Sequence, residues 1–445
     1  MTPCETMLSG WGNYPRVACS VSRPDRLAVV STLQRSHADT VWIARGLGRS
    51  YGDPATNQSK HVMDMTGLNR FVDFDPGAGK VTVEAGISYA DLIKVLLPRG
   101  FFPMVTPGTK FVTIGGAIAA DVHGKNHHID GSFNSCVESF TLLTPAGKLL
   151  ECSREENSDV FWATLGGMGL TGFILTATIR LRPVTSAMMD VVTTRVNNLD
   201  QMLEHFAKSD EDSLYSVAWI DCLARGEKLG RGVVLQGGHA EGAGPIEVPR
   251  KRSKTVPFDL PGFALNPLAV RAFNAAYFRA HRSGRSREDV NTYFYPLDAV
   301  HHWNRIYGKR GFVQYQPVFP EADGADGVRA LIERLVVERS SSFLAVLKQM
   351  GGHEAGLLGF PMKGLTLAVD LPRTSGIADL LMELDRLVLD HGGRVYLAKD
   401  GSMSAQTFKQ MYPRLEEFQR VRRVLDPDGV LGSDQSRRLG ITEQA

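Results

Sequence analysis

Residues 107–133 read PGTKFVTIGGAIAADVHGKNHHIDGSF, with five glycines and three histidines in an otherwise small, apolar run. This run constrains the fold more than any other stretch of the chain. Glycine lets backbone amides approach a bulky anionic ligand closely. Gly115, Gly116, Ala117, Ala119 and Ala120 leave space for something flat and large, and His123 and Lys125 bring polar chemistry to its edge. The segment reads as a cofactor bed with a reactive site beside it.

Short strand patterns surround the bed. Residues 40–44 (TVWIA) run into a glycine turn at 45–53, and residues 80–85 (KVTVEA) alternate at period two before Gly86. Residues 89–97 have helical spacing, with Ser88 placed to cap them. Residues 137–143 and 148–152 flank Pro145-Ala146-Gly147 as a hairpin, and residues 173–181 form a strand that stops at Pro183. Many short strands with few helices predict an α+β fold.

Past Thr185 the helical patterns lengthen, at 327–338 and 377–389. They alternate with strands at 216–220, 312–318, 343–347 and 365–370. A second α+β domain is expected there, its sheet forming one wall of a cleft. Residues 237–290 are irregular and read as a mobile lid or a disordered segment. They contain the run Arg250-Lys251-Arg252-Ser253-Lys254, ordinarily a solvated loop. Contact with anionic lipid is the alternative reading.

Several function classes are disfavoured. The net charge of +2 gives no bulk attraction to nucleic acid. The five cysteines are odd in number and form no CxxC pair, so neither a disulfide framework nor a zinc site is expected. The first residues lack a signal-peptide pattern and no run approaches the ~18 apolar residues of a membrane span. A cytoplasmic location, or a peripheral one at a membrane, is the expectation.

Two motif matches fail on context. Residues 167–172 match GxGxxG, but a helical pattern precedes them and a β-branched strand follows, the reverse of a dinucleotide fingerprint. Residues 48–52 match GxSxG, the nucleophile elbow of a serine hydrolase, but Asp53-Pro54 follows where a helix should begin. His123 and His127 are four apart without HExxH, and Gly124 argues against a helix, so no metal site is expected. Other polar residues interrupt apolar strands: Gln314 and Gln316 in FVQYQPV, Lys348 ending FLAVLK, and Lys399 after RVYLA. Singly they read as exposed strand ends; together they suit one polar pocket, where a lysine can hold a substrate hydroxyl or take its proton.

Three stretches, ARGLGRSYGDPA, PGTKFVTIGGAIAADVHGKNHH and FWATLGGMGLTGFILTATIRL, together resemble the vanillyl-alcohol-oxidase-type FAD-dependent oxidoreductases. Within these they resemble most the decaprenylphosphoryl-β-D-ribose 2′-oxidases. The likeness continues through YSVAWID, FYPLD, WNRIYG, GFVQYQ, GGRVYLAKD, MYPRLEEF and SDQSRRL, and so spans nearly the whole chain apart from about 240–290.

The resemblance implies a bipartite FAD domain, residues 1–185 and 394–445, around a substrate domain, 186–393, with an antiparallel sheet. Arg45, Gly46, Leu47, Gly48, Arg49, Ser50, Tyr51, Gly52 and Asp53 would wrap the diphosphate of FAD. Gly108 and Thr109 would hold the rest, with Thr113, Ile114, Gly115 and Gly116, then Ala120, Asp121, Val122 and His123. Gly169, Ile174 and Tyr396 would contribute. Many relatives attach flavin covalently through a histidine in the first loop; this loop carries Arg49 and no histidine, so FAD is expected without a covalent bond.

The implied reaction oxidises the 2′-hydroxyl of a polyprenylphosphoryl-ribose-like sugar to a ketone by hydride transfer to flavin. It is the first half of an epimerisation to the arabinose form, used in cell-wall arabinan, and an NAD(P)H-dependent ketoreductase would complete it. Lys399 matches the family's active-site lysine and is expected to contact the hydroxyl, with Gln316 positioning it, His123 against the flavin and Tyr51 nearby. Lys125 would meet substrate phosphate, and Lys348, Gln314, Tyr295, Trp219, Thr366 and Ala368 would complete the pocket. Mycobacterial members carry a cysteine, the attachment point of nitroaromatic inhibitors, where this chain has Ala368. The competing readings are an alditol or sugar oxidase acting on a soluble substrate, a flavoprotein that binds without turnover, and a serine hydrolase.

Overall fold

The structure is a computed structural model describing residues 3–36, 40–209, 213–249, 253–261, 265–338, 342, 344–353 and 355–442. The described residues build a four-, a six- and a nine-stranded sheet, with a small two-stranded ladder.

The first two sheets come from the first 183 residues. In the four-stranded sheet Cys4–Ser9 pairs antiparallel with Arg16–Ser22, and His61–Asp64 lies parallel between Arg16–Ser22 and Trp42–Arg45. The six-stranded sheet runs Phe71–Asp75, Lys80–Glu84, Phe173–Pro183, Val137–Leu143, Leu149–Ser153, with Phe101–Pro103 paired to the far end of the long strand. The helix Tyr89–Leu96 starts at Ser88, whose side chain accepts from Asp91 N, and buries Leu92, Ile93 and Leu96. Its apolar spacing of three and four residues is what a one-sided helix needs.

The third sheet runs Gly284–Asp289, Met188–Val196, Gly232–His239, Tyr215–Ile220, Ala345–Met350, Gly364–Pro372, Pro317–Pro320, Arg394–Val395. Phe312–Tyr315 also pairs with Gly364–Pro372. The single strand read over 312–318 is thus two, separated at Gln316, with Pro317 opening the second. Side chains alternate across the sheet. Leu347, Leu367 and Val369 join one buried core with Val328, Leu331, Leu380 and Leu384 of the helices Gly324–Val337 and Ile377–Asp390. Val346, Lys348 and Ala368 therefore face the other way, into a cavity.

The nine-stranded sheet takes Arg394–Val395 as its last strand. Residues 237–290 are not irregular throughout: Gly232–His239 and Gly284–Asp289 are sheet strands, and Pro267–Ala280 is a helix. Asn266 caps that helix by accepting from the amides of Leu268 and Ala269, Pro267 opens it, and buried Asn274 anchors it to Asp221 at 2.8 Å. The sequence hid it because Leu268 and Phe273 face outward, spoiling the amphipathic pattern. The expected basic run is described only from Ser253 onward; Arg250, Lys251 and Arg252 lie outside the described residues, as does Phe343 at the start of an expected strand.

All five cysteines are free, four of them buried. No described helix is long and apolar enough to cross a membrane.

Candidate active site

An elongated cavity follows two glycine-rich loops and ends against the nine-stranded sheet. Strand Trp42–Arg45 delivers the first loop. Arg45 folds back into it, donating Nη1 to Ala55 O at 2.9 Å and Nη2 to Ser9 O at 2.7 Å. Gly48 has φ +64°, and a Cβ there would lie 2.2 Å from Arg45 Nη2, so only glycine closes the loop over the guanidinium. A Cβ on Gly46 would lie 2.2 Å from Thr113 Oγ1, so closely does the first loop cross the second. Thr113 caps the short helix Ile114–Ala119, accepting from Gly116 N at 3.2 Å. Among the described residues, the amides of Leu47, Gly48, Arg49 and Ser50 meet no protein acceptor. Four such donors in one loop, beside a wall of glycines, fit the diphosphate and flat ring of FAD. No helix follows Ser50; residues 51–55 are turns, so the nucleophile-elbow reading fails.

Most of the expected cofactor residues line the cavity: Arg45 to Tyr51 on the first loop, then Gly108, Thr109, Thr113, Gly115, Gly116, Ala120, Val122 and His123, with Gly169, Ile174 and Tyr396. Four do not. Gly52 is a spacer, since a Cβ there would lie 1.9 Å from Asp400 O. Asp53 is buried against Arg438, accepting from its Nη2 at 2.7 Å and its Nε at 3.0 Å. Ile114 lies in the apolar core and gives its amide to Ile87 O. Asp121 is buried in a knot, accepting from Ser132 Oγ and from the amide and side chain of Asn134. Each acts by shaping the wall.

The far end of the cavity gathers Tyr51, Lys125, Gln314, Gln316, Lys348, Ala368 and Lys399. Lys399 follows the last strand on a turn in which Tyr51 N donates to Ala398 O at 2.9 Å, tying it to the first loop. Its Nζ stands 3.9 Å from the Tyr51 ring centroid. Lys125 Nζ lies 4.0 Å from the Tyr293 ring centroid and donates to Tyr293 O. Burial pushes Lys125, Lys348 and Lys399 each down to about 7, with mutual repulsion adding to it at Lys348.

His123 joins the two halves. Its Nε2 meets the Gln316 side-chain amide at 3.0 Å and its Nδ1 meets Lys348 Nζ at 2.9 Å. Burial, then Lys348, hold His123 well below the ordinary histidine range, so the ring is neutral. Two expected substrate residues sit behind the wall instead of on it. Thr366 accepts from Gln316 at 3.3 Å and donates to Pro317 O at 2.8 Å, fixing the glutamine. Tyr295 is buried, its hydroxyl 2.6 Å from Thr106 Oγ1. Trp219 lines the apolar arm with Val217, Leu235, Tyr277, Leu344 and Val346.

Sequence reading missed Asp370, which is fully buried. It accepts from Gln314 Nε2 at 2.6 Å and Tyr307 Oη at 3.2 Å, while Gln314 also reaches Tyr51 Oη at 3.2 Å. Burial raises its carboxyl to about 7. A charged residue inside GLTLAVDLP, on the same alternating face as Thr366 and Ala368, was the available signal. It also missed Asp298, which accepts from Thr109 Oγ1 at 2.7 Å and Lys110 N at 2.9 Å and lines the cavity beside Arg49. Arg438 was missed as well; it pairs with both Asp53 and Asp400, at 2.7 and 2.9 Å.

Residues 20–153 match the family model described as an FAD binding domain, and residues 370–439 match one described as D-arabinono-1,4-lactone oxidase. The chain is 39% identical over 446 residues to a decaprenylphosphoryl-β-D-ribose oxidase of Mycolicibacterium smegmatis, covering 97% of each. It is 23% identical over 440 residues to an L-gulono-1,4-lactone dehydrogenase of Mycobacterium tuberculosis, covering 96% of this chain and 98% of that one. It is 30% identical over 203 residues to the L-gulonolactone oxidase of Bos taurus, covering 45% of each. With its glycine cradle, its lysine-lined cavity and this full-length likeness, the chain belongs to the decaprenylphosphoryl-β-D-ribose oxidase family of FAD-dependent oxidoreductases.

Proposed function

We propose that this chain oxidises the 2′-hydroxyl of a polyprenylphosphoryl-β-D-ribose-like sugar to the ketone. One observation carries the reading: the cavity continues from the glycine loops, past Lys125, Lys348 and Lys399, into an apolar arm walled by Val217, Trp219, Leu235, Tyr277, Leu344 and Val346. Cations beside an apolar arm suit a sugar that bears both a phosphate and a lipid tail. A soluble alditol or lactone would use the lysines and leave the arm wet.

FAD, when bound, supplies the hydride acceptor, and it is held without a covalent bond, since Arg49 occupies the first loop where relatives place histidine. Lys399 contacts the reacting hydroxyl and takes its proton as a neutral amine. Gln316, steadied by Thr366 and His123, orients the sugar. Lys125 meets the phosphate. Asp370, through Gln314 and Tyr51, places a countercharge near Lys399. Because oxidation yields only the ketone, an NAD(P)H-dependent ketoreductase completes the epimerisation to the arabinose form.

Anaerobic bleaching of the flavin tests this reading. Polyprenylphosphoryl ribose should bleach it, while free ribose and alditols should not. Bleaching by alditols alone would replace the reading with a soluble-sugar oxidase. Acid precipitation should release the flavin into the supernatant.

A further inference from the structure

We propose that the outer face of the Pro267–Ala280 helix, with exposed Phe258, docks on an anionic phospholipid bilayer. The proposal rests on the lipid-linked reading for its purpose, but on separate observations for its content.

Phe258, Leu268 and Phe273 are 63%, 77% and 48% exposed. Single exposed apolar residues are ordinary; three within sixteen positions, two of them on a helix whose exposed face otherwise offers Ala269, Ala272, Ala276 and Ala280, are not. Exposed Lys254, Arg271, Arg279, Arg282 and Arg285 surround them. Residues 253–286 hold five Lys and Arg against one Asp, a net of +4, while the rest of the chain nets −2. The positive charge is thus concentrated where the apolar side chains emerge, the composition of a helix lying in a lipid interface. An apolar protein partner would not require so one-sided a charge.

Position supports the same occupant. Tyr277 points from the inner side of this helix into the apolar arm, its ring 4.5 Å from that of Trp219. The Phe258 segment is held by Leu260 N donating to Arg305 O at 2.9 Å, in the turn whose Trp303 also lines the cavity. The helix therefore borders the arm assigned to the lipid tail and the Phe258 segment borders the same cavity, so a docked molecule could draw its substrate from the bilayer without exposing the tail to water.

Sedimentation of the holoenzyme with sugar-free vesicles tests this. Vesicles of phosphatidylcholine with 30% phosphatidylglycerol should pull the protein down at ~0.1 M salt, and pure phosphatidylcholine should do so at least tenfold less well, on the scale of roughly fivefold per cation engaged. Leu268→Asp with Phe273→Asp, and separately Arg271→Glu with Arg279→Glu, should each cut binding tenfold or more. Flavin absorbance, and bleaching by detergent-dispersed substrate, should stay unchanged. Absence of binding to the anionic vesicles, equal binding by the variants, or a dimer broken by Leu268→Asp with Phe273→Asp would each overturn the proposal. Binding that persists while only alditols bleach the flavin would sink the substrate reading and leave the dock standing.

Discussion

Lys399 stands over the Tyr51 ring in a cavity that already holds Lys125 and Lys348, and the burial of these three amines gives the site its chemistry. An amine held near 7 is free to accept a proton at neutral pH. Lys399→Met should slow flavin reduction at least ~100-fold with FAD still bound, read by anaerobic stopped-flow; ordinary turnover would remove its role. In the wild type, the reduction rate should rise as pH increases through about 7, because the neutral amine is the working form. Asp370→Asn should move the rise of that rate to lower pH without altering the flavin spectrum, since the carboxylate holds the Lys399 amine higher than burial alone would. Lys348 also tests the electrostatics. Its folded value of about 7 lies below the ordinary lysine value, so the folded state binds fewer protons than the unfolded one between those values. Stability therefore rises with pH across that window, and the burial penalty is full below 7. Lys348→Met should raise the melting temperature more at pH 6 than at pH 9; equal gains would contradict the shift. Ala368 faces the cavity and offers no nucleophile, so nitroaromatic inactivators that need a cysteine there should leave this enzyme active and should capture the Ala368→Cys variant.

At the scale of elements, the C-terminal segment decides whether the reactive end exists. Arg438, from the helix Asp434–Arg438, bridges Asp53 on the first glycine loop and Asp400 beside Lys399. Both carboxylates are nearly fully buried, so Arg438→Ala would strand two charges at a cost of roughly 3 kcal/mol or more. Weaker flavin retention and a lower melting temperature, measured by dialysis and calorimetry, are the expected results. Much of this level was legible. The strand at 137–143, the Ser88-capped helix and the reversed context of the 167–172 glycines follow from local patterns, because period, capping and glycine turns act over a few residues. The break at Gln316 and the helix Pro267–Ala280 were not, since each depends on what packs alongside.

On the whole molecule, the two glycine loops and the sheet wall close one cavity from segments more than 300 residues apart. Stripping FAD should lower the melting temperature, with holoenzyme stabilised by about 2.7 kcal/mol at a hundredfold excess of FAD over its Kd; an unchanged melting point would argue against a folded-state FAD site. The α+β class, the cradle glycines and the lysines and glutamines of the reactive end are readable along the chain, because glycine content, alternation and linked motifs are properties of short stretches. That Asp53 and Asp121 brace the wall, that Thr366 and Tyr295 stand behind it, and that Asp370 reaches Tyr51 through Gln314 follows from the folded arrangement alone. A residue's type says what it can bond; which partner it meets, and whether water is present, is fixed by segments distant in the chain that fold against it.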